Sequence, residues 1–204
     1  MNISIFGLGY VGCVSGACLA RNGHKVIGVD INQNKIDIIN RGRSPVIEKD
    51  IDRIIKQVVR ANKFVATRDF EKAVRNSDIS MICVGTPSND NGSLNLNHVK
   101  SVCAEIGVGL RKKNDYHVVA VRSTVLPGTV EQEIIPQLEK SSGKKASTNF
   151  GVCMNPEFMR EGDSVYDFYH PPMIIIGELD KRSGDAVEKV YTNIDAPIIR
   201  TSIK

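Results

Sequence analysis

The chain opens on an apolar run that passes directly into glycines, Ile3-Ser4-Ile5-Phe6-Gly7-Leu8-Gly9-Tyr10-Val11-Gly12, and no other feature restricts its fold as much. Three glycines at these intervals occur by chance in many loops, so context decides. Here they follow a β-type run and precede a helically spaced stretch, 10–22. In a strand–turn–helix unit the first glycine permits the tight turn, the second lets backbone approach a pyrophosphate, and the third lets helix and strand pack closely. The helix start then offers free N–H groups and the positive end of its dipole to phosphates. A second apolar run, Lys25-Val26-Ile27-Gly28-Val29-Asp30, ends in a carboxylate. It lies about twenty residues beyond the glycines, where an acid accepts hydrogen bonds from an adenosine ribose and repels a 2′-phosphate. The unit therefore predicts NAD rather than NADP; Asp30 as a simple cap on the following helix is the competing reading. Lys35, one turn into that helix, either reaches the cofactor's ribose or phosphates or stands solvated.

The same alternation continues along the chain. Strands are expected at 2–6, 25–30, 64–67, 79–84, 117–122, 150–154, 173–176 and 197–199, and helices near 10–22, 33–41, 50–62, 69–75, 95–111, 128–140 and 181–192. Gly23 suits a helix C-terminus, and Asp69, Asn95 and Asp180 suit helix starts. Strands as apolar as Ile79-Ser80-Met81-Ile82-Cys83-Val84 belong in a sheet covered on both faces. The fold class is α/β: a Rossmann-type, doubly wound, mostly parallel sheet with helices on both faces and right-handed crossovers. Asp90-Asn91-Gly92 reads as a turn and 141–149 as a polar loop.

In such a sheet, ligands bind beyond the carboxyl ends of the strands. Two loops there stand out: Val84-Gly85-Thr86-Pro87, and Arg122-Ser123-Thr124-Val125-Leu126-Pro127-Gly128-Thr129, with Pro127 suited to a first helical turn. Turn and cap chemistry explains their composition as well as cofactor contact does. After the sixth strand comes Asn155-Pro156-Glu157-Phe158-Met159-Arg160-Glu161-Gly162. Its two acids, four apart, would share one side of a helical turn. One of them in a partly dry pocket would serve as general acid or base; alternatively both are surface acids with Arg160 as salt partner.

Composition narrows the partners. A formal net charge of +4 with both signs interspersed offers no block for a nucleic acid backbone. Apolar runs such as 173–176 are too short to span a bilayer, and no basic leader with a cleavage site is apparent. The expected setting is the cytoplasm. Cys13, Cys18, Cys83, Cys103 and Cys153 form no CxxC pair and have no His cluster beside them, so reduced buried thiols are expected, with no disulfide and no metal site.

Five segments together resemble one family, the UDP-glucose/GDP-mannose dehydrogenases. They are FGLGYVG at 6–12, IGVD at 27–30, ICVGTPS at 82–88, VRSTVLPGT at 121–129 and NPEFMREG at 155–162. VRSTVLPGT, PPMIIIGELD at 171–180 and DAPIIR at 195–200 are most similar to the branch acting on GDP-mannose. The resemblance implies an NAD-dependent, four-electron oxidation of a nucleotide sugar, GDP-mannose in preference to UDP-glucose, in polysaccharide biosynthesis. It implies cofactor contacts at Gly7, Gly9, Tyr10, Val11, Gly12, Asp30, Lys35, Thr86 and Thr124. Glu157 resembles the family's acid/base residue and Thr124 the hydroxyl that organises a water or oxyanion; Phe158, Met159, Arg160 and Glu161 resemble substrate contacts. The family's nucleophilic cysteine, with a helical lysine and asparagine, matches nothing in this sequence. Residues 1–204 are accordingly expected to be an N-terminal NAD-binding domain, unable to complete the oxidation alone, from a homodimeric or larger parent. A two-electron dehydrogenase of the 3-hydroxyacid or 6-phosphogluconate type and a non-catalytic NAD-binding module are the alternatives.

Overall fold

The computed structural model describes residues 1–203. Its first strand, β1 (Asn2–Phe6), buries four of its five residues, and every residue of β4 (Ile79–Ile82) and β5 (His117–Val121) is buried. The remaining strands are β2 (Lys25–Val29), β3 (Phe64–Thr67), β6 (Phe150–Met154), β7 (Ile174–Glu178) and β8 (Ile198–Ser202). They form one sheet in the order β3-β2-β1-β4-β5-β6-β7-β8. All neighbours run parallel except β6 and β7, which pair antiparallel only at Cys153–Glu178 and Met154–Gly177. The chain leaves β3 at one edge and re-enters beside β1 as β4, so a crevice opens at the carboxyl ends of β1 and β4, where open α/β sheets hold ligands.

Alternation along each strand sends side chains to opposite faces. Val118 and Ala120 of β5 join a core under α1 (Tyr10–Arg21), α3 (Ile51–Arg60), α7 (Ser164–Tyr169) and α8 (Lys181–Glu188), together with α2 (Gln33–Asn40). Val119 and Val121 face the other core, under α4 (Phe70–Arg75), α5 (Asn97–Arg111) and α6 (Ile135–Ser142). No helix among the described residues is long and apolar enough to cross a membrane.

Asp69 caps α4 by accepting from the Lys72 N–H at 2.9 Å, and Asp180 forms a capping box with Ser183. Asn95 accepts from the Asn97 N–H at 3.0 Å, one residue ahead of the cap position. The expected helix at 128–140 begins later and differently. Leu126–Thr129 is a turn, with Pro127 second, Gly128 third at φ +85° and the Thr129 N–H donating to the Leu126 carbonyl, so Pro127 serves that turn rather than a first helical turn. A π-helical turn, Val130–Ile134, leads into α6. Pro136 lacks the N–H that would close an α turn on Gln132, and the wider turn accommodates the loss. The short helix α7 was not expected; its six residues are too few to show a helical period.

One polar strip runs through the sheet. His117 is fully buried, with Nε2 2.8 Å from the Ser80 hydroxyl and Nδ1 3.1 Å from the Ser77 carbonyl. Ser80 in turn lies 2.7 Å from Ser4. Burial, reinforced by Lys113, pushes the imidazole down to about 3. The unfolded chain binds a proton at His117 below about pH 6.5, whereas the fold refuses it down to about pH 3, so stability falls as pH falls through that window. The expected slope from this one residue approaches about 1.4 kcal/mol per pH unit below pH 6 and is about half that between pH 7 and 6. Urea unfolding at pH 7, 6 and 5 should show that slope reduced by this amount in His117→Gln, and equal slopes in the two proteins would refute the assignment.

Candidate active site

The glycine turn is built as its spacing requires. Gly7 has φ +93°, and a Cβ there would meet Val84 Cγ1 at 2.8 Å. A Cβ on Gly12 would stand 1.9 Å from the Gly7 carbonyl oxygen, so α1 presses directly on the turn. Gly9 differs: its φ is −76°, open to any residue, and a Cβ would meet nothing within 4 Å. The open space above Gly9, at the start of α1, has the position and character of a phosphate cradle.

Asp30 follows β2 and is fixed by two backbone donors, Leu8 N–H to Oδ2 at 2.7 Å and Asn32 N–H to Oδ1 at 2.8 Å. It therefore steadies the glycine turn as well as facing a cavity of about 450 Å³ lined by Phe6, Gly7, Ile31, Phe70, His98 and Val102 among others. The helix that follows is capped by Asn32, whose side chain accepts from Asn34 and Lys35. The competing reading of Asp30 as that cap is thereby corrected. Lys35 Nζ lies 3.8 Å from Asp30 Oδ2, on the same rim.

A second cavity, of about 300 Å³, lies on the other side of the turn, lined by Gly9, Tyr10, Val11, Cys83, Thr86, Arg122, Thr124 and Glu157 among others. Val84 lines both cavities. The Thr86 hydroxyl donates to the Thr124 carbonyl at 2.7 Å and Ser123 to the Val84 carbonyl at 2.6 Å, which locks the loops after β4 and β5 together. The two cavities thus lie on either side of the glycine turn, at the carboxyl edge of the sheet where open α/β folds hold ligands.

Residues 155–160 form no helix. Asn155 precedes proline, which disfavours helical backbone, so the expected helical pairing of Glu157 with Glu161 is absent. Glu157 lines the cleft, with Oε2 accepting from the Met159 N–H at 2.5 Å, whereas Glu161 is exposed and lines none of the cavity. Arg160 pairs with neither acid. Its Nη2 and Nε reach the two oxygens of Asp167 on α7, at 2.8 and 3.0 Å, and hold that carboxyl below its usual range. Phe158 is exposed and Met159 half-buried beside it.

Several functional candidates escape a reading of the sequence. Asn155 anchors the Glu157 loop: its N–H donates to the Val121 carbonyl at 2.8 Å and its Nδ2 to the Ile175 carbonyl at 2.9 Å. Its Oδ1 accepts from Arg122 at 2.9 Å and from the Tyr191 hydroxyl at 2.5 Å. Glu48 accepts a hydrogen bond from the Tyr10 hydroxyl, and the Gly162 N–H donates to both, so the start of α1 is tied to the end of the Glu157 loop. All five cysteines are buried, and burial pushes each thiol up to about 12; a thiolate nucleophile is unavailable from such groups near neutrality.

The family model described as the NAD binding domain of the UDP-glucose/GDP-mannose dehydrogenase family matches residues 1–195. GDP-mannose 6-dehydrogenase of Pseudomonas aeruginosa is 52% identical over 204 residues, which are 100% of this chain and 47% of that protein. A UDP-glucose 6-dehydrogenase of Bacillus subtilis is 35% identical over 99% of this chain and 42% of its own length. The crystal structure of a ternary complex of the P. aeruginosa GDP-mannose dehydrogenase superposes with a TM-score of 0.98 at 53% identity, covering 100% of this chain and 47% of that one. The chain spans about half the length of the curated relatives it matches.

Proposed function

This chain belongs to the UDP-glucose/GDP-mannose dehydrogenase family, in its NAD-binding domain, and on that premise we propose that it is the cofactor-holding half of an enzyme oxidising the C6 alcohol of GDP-mannose to a carboxylate. The observation that carries the substrate is the contrast in identity, 50–54% to six GDP-mannose 6-dehydrogenases against 33–35% to two UDP-glucose 6-dehydrogenases. When bound, NAD supplies the hydride acceptor, two per sugar for the four electrons removed. Gly9 and the start of α1 would hold the pyrophosphate, Asp30 and Lys35 the adenosine ribose, and Thr86 and Thr124 the nicotinamide end. Tyr10 and Val11, which line the second cavity, would contact the cofactor there.

Glu157 takes the proton of the alcohol as the hydride leaves, and later activates the water that hydrolyses an acyl intermediate, with Thr124 orienting that water. Phe158, Met159 and Arg160, on the loop after Glu157, would border the sugar, with Glu161 on the exposed outer rim of that loop. The five buried thiols are unsuited to the covalent step, so the nucleophile comes from another part of the enzyme. The product would enter polysaccharide biosynthesis from the cytoplasm, and the active parent is a homodimer or larger.

Two measurements test this reading. Calorimetry on the chain should show NAD bound at least tenfold more tightly than NADP, a difference of about 1.4 kcal/mol; Arg68 lines the same cavity as Asp30, so tighter NADP binding would overturn Asp30's role. The intact enzyme should reduce two NAD per GDP-mannose consumed. One NAD per sugar would place it among two-electron dehydrogenases instead.

A further inference from the structure

The cleft wall carries a cation that the fold does not neutralise. Arg122, just after β5, is 6% exposed, and its Nη1 donates to two neutral partners, Asn155 and Tyr191. Its Nε is buried with no partner. Among the described residues no carboxylate lies within ion-pair distance of it. Glu157, the only acid lining the same cavity, stands beyond that distance and is only half-buried, so solvent screens its charge more than it screens the guanidinium. Burying an arginine without a counter-ion is costly. A neutral donor could satisfy Asn155 and Tyr191 as well, so hydrogen bonding alone does not account for the charge.

We propose that Arg122 sets the redox preference of the cleft: its buried cation disfavours the positively charged oxidised nicotinamide relative to the neutral reduced ring, and so drives hydride toward the cofactor. The inference rests on the proposal that this chain binds NAD with the nicotinamide end at Thr86, Thr124 and Glu157. In the step concerned, a hydride with its electron pair leaves the alcohol carbon for the ring, whose positive charge is cancelled, and the hydroxyl proton passes to Glu157. At an effective dielectric near 20, a unit charge about 10 Å away changes the balance by roughly tenfold. The adenosine and pyrophosphate are common to both redox states, so any effect of Arg122 on them drops out of the ratio of the two affinities.

The experiment is calorimetric titration of the chain with NAD and with NADH. The chain as it stands should bind NADH about tenfold more tightly, and equal affinities would overturn the proposal. Arg122→Lys keeps the charge and should keep the ratio, whereas Arg122→Gln should bring it close to unity. Asn155→Asp places a carboxylate where Oδ1 already meets the guanidinium and should lower the ratio in the same direction with Arg122 intact. A purely structural role for Arg122 predicts that both affinities weaken together at constant ratio in every folded variant, which would sink the redox assignment. Failure of the unaltered chain to bind either form would instead refute the NAD reading on which the inference stands.

Discussion

Gly12→Ala is expected to unfold or grossly destabilise the chain, by about 3 kcal/mol or more, while Gly9→Ala leaves the melting temperature unchanged and costs about a hundredfold in NAD affinity, roughly 2.7 kcal/mol. The two glycines lie three residues apart in one turn, yet their surroundings are opposite. A methyl on Gly12 would be driven to 1.9 Å from the Gly7 carbonyl oxygen, a backbone atom that no rotamer change can move. Relief would require lifting α1 from the sheet, and α1 is buried over nine consecutive residues, Gly12 to Ala20. A methyl on Gly9 meets nothing, and its φ of −76° imposes no strain. The only thing it obstructs is whatever approaches the start of the helix from outside. Thermal melts and calorimetry on the two variants therefore separate the two functions of the turn, and a Gly9→Ala chain that binds NAD like its parent would mean that no pyrophosphate approaches there.

What the sequence made legible was chemistry written consecutively. The glycine turn, Asp30 at the end of β2, the Thr86 and Thr124 loops and the alternation of strands with helices all depend on residues within one strand–loop–helix unit. The structure places them together at the carboxyl edge of β1, β4 and β5. What stayed hidden joins distant segments. Arg122, Asn155 and Tyr191 meet across 33 and 36 residues of chain, and Glu48 reaches Tyr10 across 38. No local period marks such pairs, because they arise from the order in which strands lie side by side. The local pattern that misled furthest was the four-residue spacing of Glu157 and Glu161. It is a helical spacing in form, but Pro156 denies the preceding residue a helical backbone, and Asn155 is fastened to β5 and β7 by hydrogen bonds that a helix could not keep. The result separates two acids that the spacing would have joined.

That separation gives the second large effect. In the intact enzyme, Glu157→Gln is expected to lower kcat by a factor of about 10² to 10⁴, leaving the NAD dissociation constant within about twofold, whereas Glu161→Gln should leave kcat nearly unchanged. Glu157 is carried on a loop whose root, Asn155, is held by donors from Arg122 and Tyr191 and by its own bonds to β5 and β7, so the carboxyl is presented to the cleft from a rigid base. Burial keeps the Tyr191 phenol protonated, and it is therefore a steady donor in that anchor. Glutamine preserves the side chain's volume and can still accept the Met159 N–H through its carbonyl, so the loop should persist. What it loses is the capacity to take a proton from an alcohol as the hydride departs. Rates measured under saturating NAD and GDP-mannose isolate that loss from binding, and the change should appear in kcat rather than in KM for NAD. If Glu157→Gln retained kcat within about threefold of the parent, the proton acceptor would have to be sought elsewhere, since no other carboxylate lines this part of the cleft.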